Sequence, residues 1–352
     1  MCSSPTPTRR WARSPRSSRS ALGFVFRPLG GILFGRLGDR IGRRSTLIIT
    51  TLIMGVSTGL IGLLPTYAAI GVWAPILLAL LRIGQGLGAG AEFGGASTLL
   101  AEHAPPGRRG YYSSFAQTGV QIGRVLGTST FLLVTLLPLE AQQTWGWRVP
   151  FPISFAMIGV ALYVRLRVAE SPVFRRLERD KQVVRMPIRE TLAKYPRNAV
   201  IGIGAHIADT ALIYLVATFV VAYATEQLGL EDRTVLLGVV IFGLVVIAMA
   251  FGFAPMVAVR PAFYAELFGA RVRYTGFASS RELGAAVAGF SPMIAAALLG
   301  AMDGEPWLIP LFTIATCAVS FVAFWLAAEG KDVDIAAVDP TQETQATQEE
   351  RA

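Results

Sequence analysis

The sequence contains little cysteine or histidine, which limits the metal and disulfide chemistry open to it. Cys2 lies in a polar tail and Cys317 in an apolar run, so the pair predicts neither a disulfide framework nor a zinc site. His103 and His206 are too few for the histidine clusters of membrane metalloenzymes. We therefore predict no catalytic residue, no cofactor-binding residue and no metal site. An integral membrane enzyme is the last-ranked of the functions considered.

Charged residues are also scarce, and strand-like alternation is missing from the apolar segments. Only 16% of the residues are charged, 53% are hydrophobic, and the mean hydropathy is +0.52. The apolar residues form runs close to the roughly 20 residues that a helix needs to cross a bilayer. Since lipid leaves only helices and closed barrels as spanning structures, we predict an all-α polytopic membrane protein.

The net charge of +9 does not indicate a nucleic-acid-binding protein. Its basic residues fall mainly in loops on one side of the predicted topology, which is the cytoplasmic bias of membrane proteins. The expected partner is therefore the lipid bilayer, and no nucleic acid is expected. The charge bias places the C-terminus and the 165–197 stretch of this multi-pass chain in the cytoplasm.

Nine apolar runs organise the chain. A disordered basic tail (1–20) precedes a first helical bundle (21–168), a cytoplasmic linker (169–197) follows, and a second bundle (198–328) ends in a disordered acidic tail (329–352). We predict that part of the linker is an amphipathic helix lying on the membrane. The orientation of the first run stays open, because alternation and charge bias disagree there. The runs are 21–38, 46–66, 71–101, 112–138, 150–168, 198–225, 235–258, 275–301 and 307–328.

A glycine-rich segment with a compact set of charges, residues 35–44, separates the first two runs; we call it the signature loop. Its small residues allow close helix approach in lipid. The sequence resembles the loop signature of the major facilitator superfamily, G-x-L-x-D-R-x-G-R-R, between the second and third spans of that fold. The residues in register are Gly35, Leu37, Asp39, Arg40, Gly42, Arg43 and Arg44.

Five further blocks resemble the metabolite:proton symporters of this superfamily. The resemblance implies a two-bundle transporter that works by alternating access and carries a small polar metabolite, such as a dicarboxylate, a shikimate-like acid, proline or betaine, together with H⁺. No other cofactor is implied, and the resemblance further implies a monomer in the plasma (inner) membrane of a bacterium. The blocks are 27–31, 85–96, 147–151, 170–174 and 265–276.

The chain departs from that family in its number of spans. Family members have twelve, whereas we count nine, with the first span absent and an internal deletion near 245–260. A second-half counterpart of the signature loop is not found. Two alternatives to a working symporter therefore stay open: a truncated, non-transporting membrane remnant, and a gene that is longer than this sequence.

The signature loop supplies the candidate gate. A carboxylate at a helix end beside arginines can hold one side of a transporter closed, and its protonation or movement would release it. The alternative is a loop that only fixes topology. The candidate gating residues are Gly35, Asp39, Arg40, Gly42, Arg43 and Arg44.

Ionisable residues within the runs supply the other candidates, because a charge inside a bilayer is costly and commonly functional. Arg82, Glu92 and Asp209 are the candidates for proton coupling. Arg82 and Glu92 are ten residues and roughly 15 Å apart along a helix, so we do not expect them to pair. The alternatives are a snorkelling arginine and a helix-end carboxylate.

Three residues are candidates for binding the substrate. They are Arg27, Gln85 and Arg124. Arg27 is alternatively a structural charge, and Arg124 is alternatively an unselected lesion in the fourth run.

Overall fold

The computed structural model describes residues 15–105, 107–215, 219, 223, 224, 260–302 and 304–327. Within these residues the chain is helical and contains no strand, which confirms the all-α prediction. A 3₁₀ turn covers Gly146–Arg148. The α-helices are α1 (Pro15–Ile41), α2 (Arg43–Leu63), α3 (Tyr67–Ile70), α4 (Trp73–His103), α5 (Arg109–Thr135), α6 (Leu139–Thr144), α7 (Pro150–Arg167), α8 (Pro172–Arg179), α9 (Pro187–Lys194), α10 (Pro196–Tyr214), α11 (Arg273–Ala288), α12 (Ser291–Ala301) and α13 (Leu308–Trp325).

Five stretches of the described chain are long and apolar enough to cross a membrane, and each matches a predicted run. The predicted total of nine is not confirmed. Helices α1, α5 and α10 cover much of three further runs but are too polar or too charged to be counted with the five. The run 235–258, and with it most of the predicted deletion near 245–260, lies outside the described residues. The five stretches are Arg43–Leu63, Trp73–His103, Gly146–Arg167, Arg273–Ala301 and Leu308–Trp325.

Helix α1 is longer at its start than the sequence suggested. Residues 15–20, which we assigned to the disordered tail, are helical. Pro28 lies inside α1 and is buried, so it does not end the helix at the point where the apolar run is interrupted. The rest of the basic tail and the acidic tail lie outside the described residues.

The described chain divides into two compact units. One comprises residues 22–105, 107–196 and 260–279; the other comprises 15–21, 197–215, 219, 223, 224, 280–302 and 304–327. The division at Pro196 and Arg197 falls at the end of the linker that we predicted. The predicted domain boundaries remain a prediction, since residues 260–279 group with the first unit.

Glycines let the helices of the first unit approach until backbone touches backbone. A Cβ atom on Gly90 of α4 would lie 2.0 Å from the carbonyl oxygen of Arg27 in α1, and one on Gly30 would lie 2.1 Å from the carbonyl oxygen of Leu87. Helix α2 packs against both α4 and α7. Such contacts are typical of helices in lipid, where small residues replace the hydrophobic effect as the means of close association.

In the second unit, α10 and α13 are joined by small and hydroxyl side chains. The Ser320 hydroxyl donates to the carbonyl of Gly204 (2.7 Å) and accepts from the N–H of Ala208 (3.0 Å). Those two backbone groups belong to one turn of α10, so the hydroxyl bridges that turn. A Cβ atom on Gly204 would lie 2.9 Å from the Cβ of Ala323, which keeps the two helices in close contact.

The linker helices pack on protein. Val173 and Leu177 of α8 are buried against Ala270, and the guanidinium of Arg271 lies 3.6 Å from Glu190 of α9. The predicted amphipathic helix is therefore present, but its apolar face contacts residues 260–279 and not the membrane. The reason is that this segment offers a complementary apolar surface, which the linker sequence alone does not reveal.

We expect Gly90→Ala to destabilise the protein by about 1–3 kcal/mol, the usual cost of overpacking. The added methyl group meets the backbone carbonyl of Arg27, which cannot move aside as a flexible side chain could. Thermal unfolding of the full chain in detergent measures the effect. The matched control is Gly119→Ala in α5, where a Cβ has no atom within 4 Å. Equal melting temperatures for the two variants would contradict the close α1–α4 contact.

Candidate functional site

The signature loop is a one-residue break between two helices. Gly42 separates α1 from α2 and has φ 106°, a conformation that favours glycine. A Cβ atom there would also lie 2.3 Å from Oε2 of Glu170. The Glu170 carboxylate accepts hydrogen bonds from the N–H groups of Arg43 (2.9 Å) and Arg44 (3.1 Å), so it caps the N-terminus of α2. Glycine is required at this position both for its backbone and for the space it leaves.

The Arg43 guanidinium is completely buried and has a partner on each side. It lies 3.3 Å from the Asp39 carboxylate and 3.2 Å from that of Glu102. It also donates to the carbonyls of Gly38 (3.2 Å) and Ala270 (2.8 Å). This arginine therefore joins the end of α1, the end of α4 and the segment before α11.

A second buried arginine completes the charge balance. Arg273, at the start of α11, donates to Glu102 at 2.8 Å, and the Ser171 hydroxyl donates to the other oxygen of that carboxylate. We call Asp39, Arg43, Glu102 and Arg273 the ionic cluster. Its two carboxylates offset its two guanidiniums, which meets the condition for burying charges without a large desolvation penalty.

Asp39 connects the ionic cluster to the start of α11. Its carboxylate accepts from the backbone N–H groups of Tyr274 (3.3 Å) and Thr275 (2.9 Å), the favourable place for an anion at a helix N-terminus. Burial raises the pKa of the Asp39 carboxyl to about 6, although the Arg43 charge and the Thr275 hydrogen bond act to lower it. This acid therefore changes protonation near physiological pH.

Glu92 of α4 forms a second polar site. Its side chain is 23% exposed, and it pairs with Arg165 from the last turn of α7. Its other carboxylate oxygen accepts from the Thr50 hydroxyl at 3.1 Å, and the Thr51 hydroxyl lies at 3.5 Å. We call Glu92, Arg165, Thr50 and Thr51 the Glu92 site. It presents one ionisable carboxyl, with a cation and hydroxyls around it, inside a membrane-spanning helix.

Arg82 and Gln85 form a smaller polar group toward the other end of α4. Arg82 donates to the Gln85 side-chain oxygen at 2.9 Å, and the Gln85 amide donates to the Thr58 hydroxyl of α2 at 2.8 Å. Arg82 is exposed. Its hydrogen bond to Gln85 and the pairing of Glu92 with Arg165 agree with the expectation that Arg82 and Glu92 do not pair directly.

The remaining candidates lie in helices α1, α5 and α10. Arg27 lies partly buried in α1, and Asp209 lies partly buried in α10, in the second unit. Arg124 lies within α5, and its side chain is outside the described part of the chain. Within the signature loop, Gly35 is buried and Arg40 is exposed. The roles predicted for these residues stay predictions.

Four charged residues of these sites were not among the candidates of the sequence analysis: Glu102, Arg165, Glu170 and Arg273. Arg165 counted only as a basic residue of the linker stretch. A signal was nevertheless present, because each lies within three residues of the end of a predicted run and all of those ends fall on the predicted cytoplasmic side. Opposite charges at neighbouring span ends on one face are candidates for pairing.

We expect Glu102→Gln to cost about 3–5 kcal/mol of stability, since it leaves two buried guanidiniums with one carboxylate between them. Chemical unfolding of the full chain in mixed micelles measures the loss. Glu178→Gln, on the exposed side of α8, is the matched control and should be neutral. A Glu102→Gln protein as stable as the control would show that Glu102 does not compensate the arginines.

Three comparisons with known proteins bear on this geometry. Residues 18–203 match the family model described as "Sugar (and other) transporter". The chain is 45% identical over 246 residues to the inner membrane metabolite transport protein YhjE of Escherichia coli (strain K12), a match that covers 66% of this chain and 56% of that protein. It is 32% identical over 354 residues to the shikimate transporter of the same strain, covering 85% of this chain and 81% of the relative.

The fold has counterparts among solved structures. The major facilitator superfamily proton:xylose symporter XylE, bound to 6-bromo-6-deoxy-D-glucose, superposes with a TM-score of 0.65 at 16% identity, covering 95% of this chain and 90% of XylE.

The chain spans between 51% and 59% of the length of YhjE and two putative metabolite transport proteins of Haemophilus influenzae. The family consists of transporters, which are not enzymes. The chain belongs to the sugar (and other) transporter family and has the major facilitator fold.

Proposed function

We propose that the protein is a secondary active transporter that moves a small polar metabolite together with a proton by alternating access. The observation that carries the proposal is the Glu92 site, an ionisable carboxyl on the membrane-spanning helix whose end, ten residues further along, supplies Glu102 to the charge-balanced ionic cluster. Intramembrane ionisable groups of this kind mark proton pathways in transporters. The coupling ion is H⁺, and no other cofactor enters the proposal.

The ionic cluster supplies the gate on the cytoplasmic side. Its four charges tie the end of α1, the end of α4 and the start of α11 together, and they are buried together. Opening this side requires the contacts to part and water to reach the charges, so the cluster favours the closed state. Protonation of Asp39 removes one of the two negative charges and weakens the hold on α11, which is the behaviour of a two-state element biased by local electrostatics.

Glu92 supplies the proton-binding step. Its carboxylate is held by Arg165 and by the Thr50 hydroxyl, so taking up a proton breaks an ion pair inside the first unit. Arg82, which is exposed, and Asp209 of α10, which is partly buried, stay the further candidates for coupling.

The substrate class is an organic acid or a betaine-like metabolite. Relatives of this chain are named as a shikimate transporter and as proline/betaine transporters. Gln85, hydrogen-bonded between Arg82 and Thr58, is one candidate contact for a polar substrate. Arg27 and Arg124 remain the others, each able to bind a carboxylate through its guanidinium.

The protein is proposed to work as a monomer in the bacterial inner membrane, with the linker and the C-terminus in the cytoplasm. The name of the relative YhjE supports the membrane assignment. The charge bias of the loops supports the orientation.

A non-transporting membrane remnant is the second candidate. It is favoured by the sequence, in which no second-half counterpart of the signature loop is found. Such a protein would insert in the membrane and bury the ionic cluster but would not cycle between two states.

Uptake of radiolabelled organic acids, proline and betaine into cells expressing the chain tests the function. We expect accumulation of at least one of these that an uncoupler abolishes. In Glu92→Gln, accumulation should be lost while exchange of labelled for unlabelled substrate in proteoliposomes continues, because exchange needs no net proton movement. Glu178→Gln is the control and should transport as the native protein does.

Absence of uptake over the whole panel, with the protein present in the membrane by blot, would favour the remnant. Uptake that an uncoupler does not reduce would contradict proton coupling but would support the transport function. Native accumulation by Glu92→Gln would exclude this residue as the proton site.

A further inference from the structure

We propose that Arg165 is a positioning residue that transmits the protonation state of Glu92 to the ionic cluster. This inference rests on the proposed proton binding at Glu92. It adds a residue and a physical route by which a proton inside the membrane changes the hold of the gate.

The Arg165 guanidinium contacts both the Glu92 carboxylate and the backbone of α2. One guanidinium nitrogen pairs with the Glu92 carboxylate, and the other donates to the carbonyl of Leu47 at 2.7 Å. The Leu47 carbonyl also accepts from the hydroxyls of Thr50 (3.1 Å) and Thr51 (2.7 Å). Each hydroxyl has one proton to donate, and each is within reach of both Leu47 and Glu92. The hydrogen bonding at Leu47 therefore depends on whether Glu92 is ionised.

Leu47 belongs to the first turns of α2, the segment that the ionic cluster holds from the other side. Arg43 begins that segment with its buried guanidinium, and Arg44 follows with side-chain donation to the carbonyls of Arg165 (2.9 Å) and Leu166 (2.8 Å). Reciprocal side-chain-to-backbone hydrogen bonds thus join the start of α2 and the end of α7. Arg165 reaches toward α2, and Arg44 reaches back to the last carbonyls of α7.

Protonation of Glu92 changes this arrangement in a defined way. The carboxyl loses its charge, so the ion pair with Arg165 is replaced by a weaker hydrogen bond from the charged guanidinium to a neutral carboxyl. The guanidinium is then a cation with no anion beside it in a mostly buried position, since its side chain is 18% exposed. Its most favourable response is to move toward water, which releases the Leu47 carbonyl and loosens the start of α2.

Other titratable groups lie near Glu92, and their effects must be distinguished from the effect of Glu92. Tyr274 of α11 donates its hydroxyl to the carbonyl of Ala91 (3.1 Å), and its phenol lies within electrostatic range of Glu92, Arg165, Asp39 and Arg43. Asp39 itself titrates near pH 6. From α2, the groups that face Glu92 are the hydroxyls of Thr50 and Thr51. Measurements in a Glu92→Gln background retain the contribution of Asp39 and so isolate that of Glu92.

Hydrogen exchange of the full chain in lipid nanodiscs at pH 8 tests the inference, with Glu92→Gln standing for the uncharged form of Glu92. Peptides covering residues 42–48 report on the amides that Glu170 holds. We expect Glu92→Gln to lower protection there at least about fivefold relative to the native chain, the low end of ordinary coupling factors.

Arg165→Gln should behave as Glu92→Gln does, and the double variant should show no additional loss. The control is Arg167→Gln on the same turn of α7, where the guanidinium lies 5.0 Å above the Tyr163 ring; it should keep the native profile. Arg165→Lys provides a second variant with the charge retained. A lysine cannot hold Glu92 and Leu47 with the planar fork of an arginine, so protection at residues 42–48 should fall at pH 8.

Two results would overturn the inference. One is native protection at residues 42–48 in both Arg165→Gln and Arg165→Lys. The other is additive loss in the double variant, which would mean that Arg165 stabilises α2 independently of Glu92. Failure of the uptake assay with non-additive exchange effects would refute the transport function and leave the Glu92–Arg165 coupling in place, so the two proposals are tested separately.

Discussion

The buried positive charge of Arg43 is the constraint on which the first unit depends. An arginine stays charged at any physiological pH, and this one has no contact with solvent. Such a charge costs several kcal/mol unless anions and hydrogen-bond acceptors surround it. The fold meets this requirement by bringing the ends of α1 and α4 and the segment before α11 to one point. The charge therefore determines which helix ends must meet.

Close approach of the backbones makes this meeting possible. The ring of Tyr274 lies where side chains on Gly38 and Gly95 would otherwise be, since a Cβ on either glycine would fall within about 2 Å of that tyrosine. Its phenol contacts α4 while its backbone N–H reaches Asp39 of α1. One aromatic side chain therefore holds three helices in register. Gly38 of the signature loop and Gly95 of α4 are both needed because the tyrosine fills the space beside them.

The sequence was sufficient for the fold class and for one half of the site. Periodicity and hydropathy predicted helices, and the pattern around Asp39 and Arg43 predicted a charged helix junction because its spacing is local. The partners could not be located in the same way, since Glu102, Glu170 and Ala270 lie 59, 127 and 227 residues from Arg43. The prediction that the linker helix lies on the membrane was wrong for a related reason. The sequence shows that the helix has an apolar face, but only the fold shows that residues 260–279 cover it.

The balance of the ionic cluster has an electrical consequence. With both acids ionised, its two carboxylates and two guanidiniums sum to zero. Moving one elementary charge through 100 mV is worth about 2.3 kcal/mol, so displacement of the cluster as a whole does no work against the membrane potential. In the proposed cycle that potential acts on the proton and on the cargo. A substrate with one negative charge carried with one proton would cross without net charge movement, whereas a zwitterion carried with one proton would generate current.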